Sequence, residues 1–355
     1  MSATRWTPPP SDVWRAGGPA CPLGTHDLPG IGGALDGVPE HFRVDEVPAY
    51  PPSGEGDHWF VRVQKRDLTT PALREMMAAA AGCDPRDIGV AGRKDRHAVT
   101  TQWLSLPVEP VDPADERVTL LEQARHQHKL RMGHLRSNRF EIRLRGVHAD
   151  AAARLPALRA RLEAGVPNYF GPQRFGRTGL GDVTRLLARQ RVRDPRFTAS
   201  TLQSAVFNAW LGERVQAGRL HTAVLGDVLR KRATGGLFIC ADLDLDAARV
   251  AAGEVDPCGP LFGPKLFAAA AEAAETEARA LSRFSLDEAQ SGAIGRFAPG
   301  GRRPARLVPE DLDLALDGED LVARFALPSG AYATSVLAEL AHPEAGWLTG
   351  PELEA

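Results

Sequence analysis

The distribution of strand and helix patterns constrains this chain most. Residues that alternate between apolar and polar, the period of a half-buried strand, occur near both ends. His58–Arg66 alternates through Trp59, Val61 and Val63. Phe140–Arg145 sets Phe140, Ile142 and Leu144 on one face and Glu141, Arg143 and Arg145 on the other, and Asp320–Leu327 gives another strand. Thr100–Leu106 and a short Asp87–Val90 add two more. Between the ends, from about Gly165 to Arg302, the pattern is richer in helix, including an Ala-rich stretch Leu266–Leu281. Strands at both ends around a helical block predict a discontinuous domain interrupted by an insertion rather than two domains in series.

Local signals sharpen the outline. Thr69 before Thr70-Pro71 predicts a helix start, with Ala72–Ala81 as its body and Gly82 as its stop. Ala151–Ala164 predicts a helix closed by Gly165, and Ala331–Leu340 another after the turn Pro328-Ser329-Gly330. The polar, Pro-rich residues 1–38 predict a loosely packed lead-in with no apolar stretch of signal-peptide type. With no run of about 20 apolar residues, a cytoplasmic protein is expected. Nothing in the sequence demands more than a monomer.

The four cysteines, Cys21, Cys83, Cys240 and Cys258, are too far apart to suggest a disulfide framework or a zinc site. The formal net charge of −2 hides local bias. Arg125–Arg145 holds seven Arg or Lys and three His against one acid, and Arg174–Arg196 holds seven more Arg. Glu310–Asp320 holds six acids and no base. Such segregation predicts one face for a polyanion and another that is simply solvated. The phosphate-cradling and dinucleotide-binding glycine motifs are missing, so nucleotide-cofactor chemistry has no support.

Three constellations could carry chemistry. Asp95 lies between Lys94 and Arg96 in a Gly-containing turn, where neighbouring cations favour the ionised form that suits a nucleophile or base; a solvated surface turn would look the same. His126 and His128 alternate as metal ligands can, but no acid accompanies them and cations crowd them, so no metal is expected. The same stretch fits an RNA-contacting face through Arg125, Lys129, Arg131 and Arg136, with Asn138 to pair a base edge and Phe140 to stack on it; Phe140 also fits an ordinary core position. Asn168–Gly176, with Arg174, could grip an RNA backbone or pack a domain junction.

Taken together these segments resemble the TruD family of tRNA pseudouridine synthases. Gly92-Arg93-Lys94-Asp95 matches its GxKD signature and continues through Arg96–Gln102; Asn168–Gly176 matches its NYFGxQRFG. Ser137-Asn138-Arg139-Phe140 matches its GNxF with Ser for Gly. Phe42–Glu46, Ser53–His58 and Leu327–Ser335 resemble three further segments, with Ala338 where the family has Arg. The resemblance implies a mixed α+β catalytic domain with a mostly antiparallel sheet, residues 39–164 and 304–355, around a helix-rich insertion at 165–303. It implies a tRNA substrate, isomerisation of a uridine, typically uridine 13, and no cofactor. Asp95 takes the nucleophile's place, Phe42, Asn138 and Tyr332 the target nucleotide's contacts, and Phe140 the ring under the flipped base. Glu46 and Lys94 match active-site polar positions. A catalytically silent tRNA-binding protein on the same scaffold is the alternative, disfavoured because a pure binder needs no carboxylate beside a target base.

Overall fold

A computed structural model describes residues 21–175, 180–286 and 288–343. Most of the lead-in, residues 176–179, residue 287 and the chain beyond 343 lie outside the described residues. The architecture is mixed α+β, as the sequence predicts. In chain order, the first elements are β1 (Gly32–Ala34), β2 (Phe42–Pro48), β3 (His58–Arg66), α1 (Thr70–Ala81), β4 (Gly89–Val90), β5 (Val99–Leu106), β6 (Val118–His126), β7 (Leu135–Val147) and α2 (Ala151–Ala164). There follow β8 (Val166–Pro167), α3 (Gly181–Leu187), α4 (Pro195–Gln216), β9 (Val228–Lys231), β10 (Leu237–Ile239), α5 (Leu243–Ala251) and β11 (Val255–Leu261). Last come α6 (Ala271–Ser282), α7 (Glu288–Gly295), β12 (Gly301–Pro304), β13 (Arg306–Leu307), β14 (Glu310–Asp317), β15 (Asp320–Pro328) and α8 (Ala333–Ala341).

Two compact units divide these elements. Residues 31–159 and 309–333 form the first, built on a nine-stranded sheet. Its strand order is β14-β15-β7-β2-β5-β3-β6, with β1 added to β7 and β4 to β5. Every pairing is antiparallel except β2 with β5. α1 begins where the sequence places it: Thr69 is extended, its hydroxyl accepts the Ala72 N–H at 3.2 Å, and Pro71 occupies the first turn. Gly82 ends it with φ 68°, a left-handed conformation that costs glycine little. Leu73 and Met77 of α1 pack on Val61 and Val63 of β3 and on Leu104 and Leu106 of β5. Each such side chain, fully withdrawn from water, contributes roughly 1.5–3 kcal/mol. The alternation read in β7 holds, with Phe140, Ile142 and Leu144 buried.

The second unit comprises Ala160–Val308, the described residues up to 30 and those from 334. Its centre is α4, buried along most of its length. Here the helical reading is incomplete, because a four-stranded antiparallel sheet, β10-β9-β11-β12, belongs to the same region. Its inner strand β11 (VDPCGPL) contains two prolines and a glycine, residues that a strand reading demotes. The Ala-rich helix starts at Ala271 rather than near Leu266. The Ala270 and Ala273 N–H groups donate to the carbonyls of Gly226 and Leu225, which draws the chain out of helix before that point. Asp87 is likewise not in a strand. Asp84 caps a short turn over Pro85–Asp87 and leaves only Gly89–Val90 to pair.

Candidate active site

β7 lies between β2 and β15, and the register fixes what shares a face. Phe42 opposes Ile142, Val44 opposes Phe140 and Glu46 opposes Asn138. From the other side Phe325 opposes Phe140 and Leu327 opposes Asn138. Directly opposed residues project to one face. β5 adds Thr100 beside Val44, and β3 sets Lys65 opposite Thr100 and Val63 opposite Gln102. The face thus combines apolar rings with a polar belt. Phe42, half-buried, meets Phe140 edge-on with centroids 6.4 Å apart, and Phe140 lies 5.5 Å from Phe325.

The turn after β4 carries Lys94 and Asp95. Lys94 points inward, and its Nζ stands 2.5 Å from Glu46 Oε2 and donates to Asn138 Oδ1 at 2.9 Å. Both members of the ion pair are buried, with side chains 4% and 0% exposed. The other Glu46 oxygen accepts the Trp103 N–H at 3.1 Å. Gly92 leaves room for this cluster, since a Cβ there would stand 3.1 Å from Lys94 Nζ. The Lys94 N–H donates to Thr70 Oγ1 at 3.0 Å, and the Thr70 hydroxyl donates to Gln102 Oε1 at 3.0 Å. Lys65 Nζ donates to the Asp95 carbonyl at 2.7 Å. Burial pushes the Lys65 ammonium down to about 8, with the Asp95 carboxylate opposing that shift. Asp95 itself is half-buried.

The structure therefore brings Glu46, Lys94 and Asn138 into one hydrogen-bonded cluster and Phe42 into contact with Phe140. Asp95 follows Lys94 in the same turn. Tyr332 is half-buried in the link between β15 and α8, four residues beyond Pro328, which opposes Ser137. The sequence reading missed Lys65 and Thr70. A signal for Lys65 was available: Val61, Val63 and Lys65 have the same parity in β3, so a lysine continues the buried face.

The basic stretch is less uniform than its sequence. Arg125 is exposed, its guanidinium 4.2 Å from the Trp59 ring centroid; Arg131 and Arg136 are also exposed. Lys129 is half-buried and donates to the Arg86 carbonyl at 2.7 Å. His126 is a packed ring, stacked on Tyr50 with centroids 5.3 Å apart and 4.1 Å from Phe60. Its Nδ1 accepts the Ser53 N–H at 3.1 Å, and burial, then His128 and His58, holds its pKa below the usual value. Among the described residues, no group of three or more His, Cys, Asp or Glu could hold a metal ion.

The charge-segregated reading needs correcting. The acidic strand β14 lies one strand away from β7. Arg143 pairs with Asp317 at 2.8 Å and Asp320 at 3.0 Å, and Arg145 pairs with Asp320 at 3.2 Å. Runs far apart in sequence meet across the sheet, so the C-terminal end of the basic stretch is neutralised. In the second unit, Arg174 Nε donates to Ser204 Oγ at 3.1 Å, with its guanidinium 5.3 Å from the Phe197 ring. Asn168, Tyr169 and Phe170 are buried, with Asn208 bridging both main-chain groups of Phe170. For those three residues the packing alternative holds. No helix among the described residues is long and apolar enough to cross a membrane.

Comparisons with known proteins cover most of the chain. The family model for tRNA pseudouridine synthase D (TruD) matches residues 23–193 and 196–340. A protein of Anaeromyxobacter sp. (strain Fw109-5) named tRNA pseudouridine synthase D is 48% identical over 90% of this chain and 95% of its own. A Thermus thermophilus protein of the same name is 39% identical over 91% and 93%. A solved structure described as tRNA pseudouridine synthase D from Methanosarcina mazei superposes with a TM-score of 0.70 at 22% identity, covering 91% of this chain and 96% of that one, which shows a shared fold. With a matching model along nearly its full length and relatives this similar, the chain belongs to the TruD family of tRNA pseudouridine synthases.

Proposed function

We propose that this protein isomerises a uridine of tRNA, uridine 13, to pseudouridine, with Asp95 as the nucleophile. The observation that carries this reading is the arrangement beneath Asp95. A buried Lys94 ammonium is clamped by Glu46 and Asn138, and a buried Lys65 ammonium holds the Asp95 carbonyl. A solvated surface turn would not bury two lysines. A protein that only binds RNA would have no use for a carboxylate on so firmly held a backbone.

The chemistry is an isomerisation: the bond from N1 of uracil to the sugar breaks, the base rotates, and C5 takes the place of N1. Nothing is oxidised or reduced, and the proton lost from C5 balances the one gained at N1. The Asp95 carboxylate serves by adding to the anomeric carbon or by taking the 2′ proton. The uridine must leave its stack first, which costs a few kcal/mol and is recovered by new stacking and phosphate contacts. Phe140 is the proposed stacking ring, steadied by Phe42 and Phe325. Asn138 and Tyr332 complete the contacts to the nucleotide. Arg125, Lys129, Arg131, Arg136 and Arg174 are assigned to the tRNA backbone. Residues 39–164 and 304–355 are assigned to the catalytic domain and 165–303 to the insertion.

Asp95→Asn tests the assignment on an unmodified tRNA transcript, with product read by primer extension across carbodiimide adducts. Pseudouridine formation should vanish while tRNA affinity stays within about threefold, since the change removes a charge from the reaction rather than a binding surface. Full activity would overturn it.

A further inference from the structure

One six-residue segment grips the turn that carries Asp95 along its length. Lys65 Nζ donates to the Asp95 carbonyl at 2.7 Å, and Thr70 Oγ1 accepts the Lys94 N–H at 3.0 Å. Between them, the Asp67 N–H donates to the Ala98 carbonyl at 3.3 Å. The Asp67 carboxylate stands 3.0 Å from His97 Nδ1 and 3.8 Å from Arg96 Nε. Every residue from Lys94 to Ala98 is touched by Lys65, Asp67 or Thr70. The end of β3 and the start of α1 thus form a template for the loop.

Lys65 is the unusual member. It is 0% exposed on a face whose neighbours in its strand are Val61 and Val63, each also 0% exposed. Burying an ammonium is costly, and a methionine of similar length would serve the core without that cost. The hydrogen bond it makes is to a main-chain carbonyl, which fixes the backbone of one residue. Thr70, 2% exposed, is likewise committed, accepting from Lys94 and donating to Gln102.

We infer that Lys65 and Thr70 are positioning residues that hold the Lys94–Asp95 peptide from its two ends and so aim the Asp95 carboxylate at the sugar. The inference rests on the reading of Asp95 as nucleophile. Neither residue is assigned a contact with substrate; both act through the backbone of the residue that reacts. A reactive group misplaced by about 1 Å can lose on the order of a hundredfold in rate, so the effect belongs in kcat rather than in binding.

The test compares Lys65→Met, Thr70→Val, Thr70→Ser and Asp95→Asn in the full chain with an unmodified tRNA transcript. Lys65→Met and Thr70→Val should each lower kcat by roughly ten- to a hundredfold, with KM and tRNA dissociation constant within about threefold of wild type. Thr70→Ser, which keeps the hydroxyl, should recover most of the rate. Should Lys65→Met fail to fold, the Thr70 pair decides alone. A folded Thr70→Val with wild-type kcat, beside an inactive Asp95→Asn, overturns the positioning inference and leaves the nucleophile standing. An equal loss of rate and tRNA binding in Thr70→Val, or no recovery in Thr70→Ser, also overturns it. An active Asp95→Asn would instead remove the reading on which it rests.

Discussion

The energetics of the site concentrate in a single pair. Lys94 and Glu46 are both removed from water, and taking one partner from a buried ion pair costs roughly 3–5 kcal/mol because the other charge is left without compensation. Glu46→Gln and Lys94→Met should therefore each lower the midpoint of urea unfolding. The double variant should lose less than the sum of the two, since it removes both charges together. Additive losses would mean that the pair is not coupled. At this scale the sequence told less than the structure. The turn around Asp95 looked as bland as any charged turn until residues from β2, β3, α1 and β7 arrived around it. No spacing rule links Glu46 to Lys94, or Lys65 to Asp95, because sheet register brings them together. The parity of β3 alone marked Lys65, since a charge in phase with Val61 and Val63 has to be buried.

Among elements, α8 carries a buried carboxyl group that fastens residues 24 and 25. Glu339 is 1% exposed, and its carboxylate accepts the N–H groups of Gly24 (3.0 Å) and Thr25 (2.9 Å) and the Thr25 hydroxyl (2.8 Å). Burial pushes its pKa up from 4.5 to about 7, against the pull of those donors. A raised pKa means that the folded state favours the protonated form. The stabilisation is then complete below about 4.5, declines as pH rises, and is lost above about 7. Glu339→Gln should flatten the fall of the melting midpoint across that interval. A variant as pH-dependent as wild type would place the titration elsewhere. The elements with strong local signals, β3, α1, β7 and α2, were legible because cap chemistry and periodicity agree with tertiary burial. β11 was not, because its prolines and glycine obey the packing around α4 rather than any strand propensity.

For the whole molecule, the net charge of −2 means that tRNA affinity has to come from local fields. The fold divides the basic stretch into two classes. Arg125, Arg131 and Arg136 are exposed, whereas Arg143 and Arg145 are paired with Asp317 and Asp320. Removing one cation that neutralises a phosphate should reduce the slope of log affinity against log salt by about 0.7–0.9. Alanine at Arg125, Arg131 or Arg136 should flatten that slope, and alanine at Arg143 or Arg145 should leave it nearly unchanged. Equal effects in both classes would remove the distinction. The sequence showed the run of cations but not that the acidic strand neutralises part of it, because β14 and β7 lie far apart in the chain.

The most direct measurement maps pseudouridine in tRNA from cells lacking this protein, then with wild type or Asp95→Asn restored. Modification at uridine 13 should disappear without the protein, return with wild type and stay absent with Asp95→Asn. Modification that persists without the protein, or that Asp95→Asn restores, would contradict it.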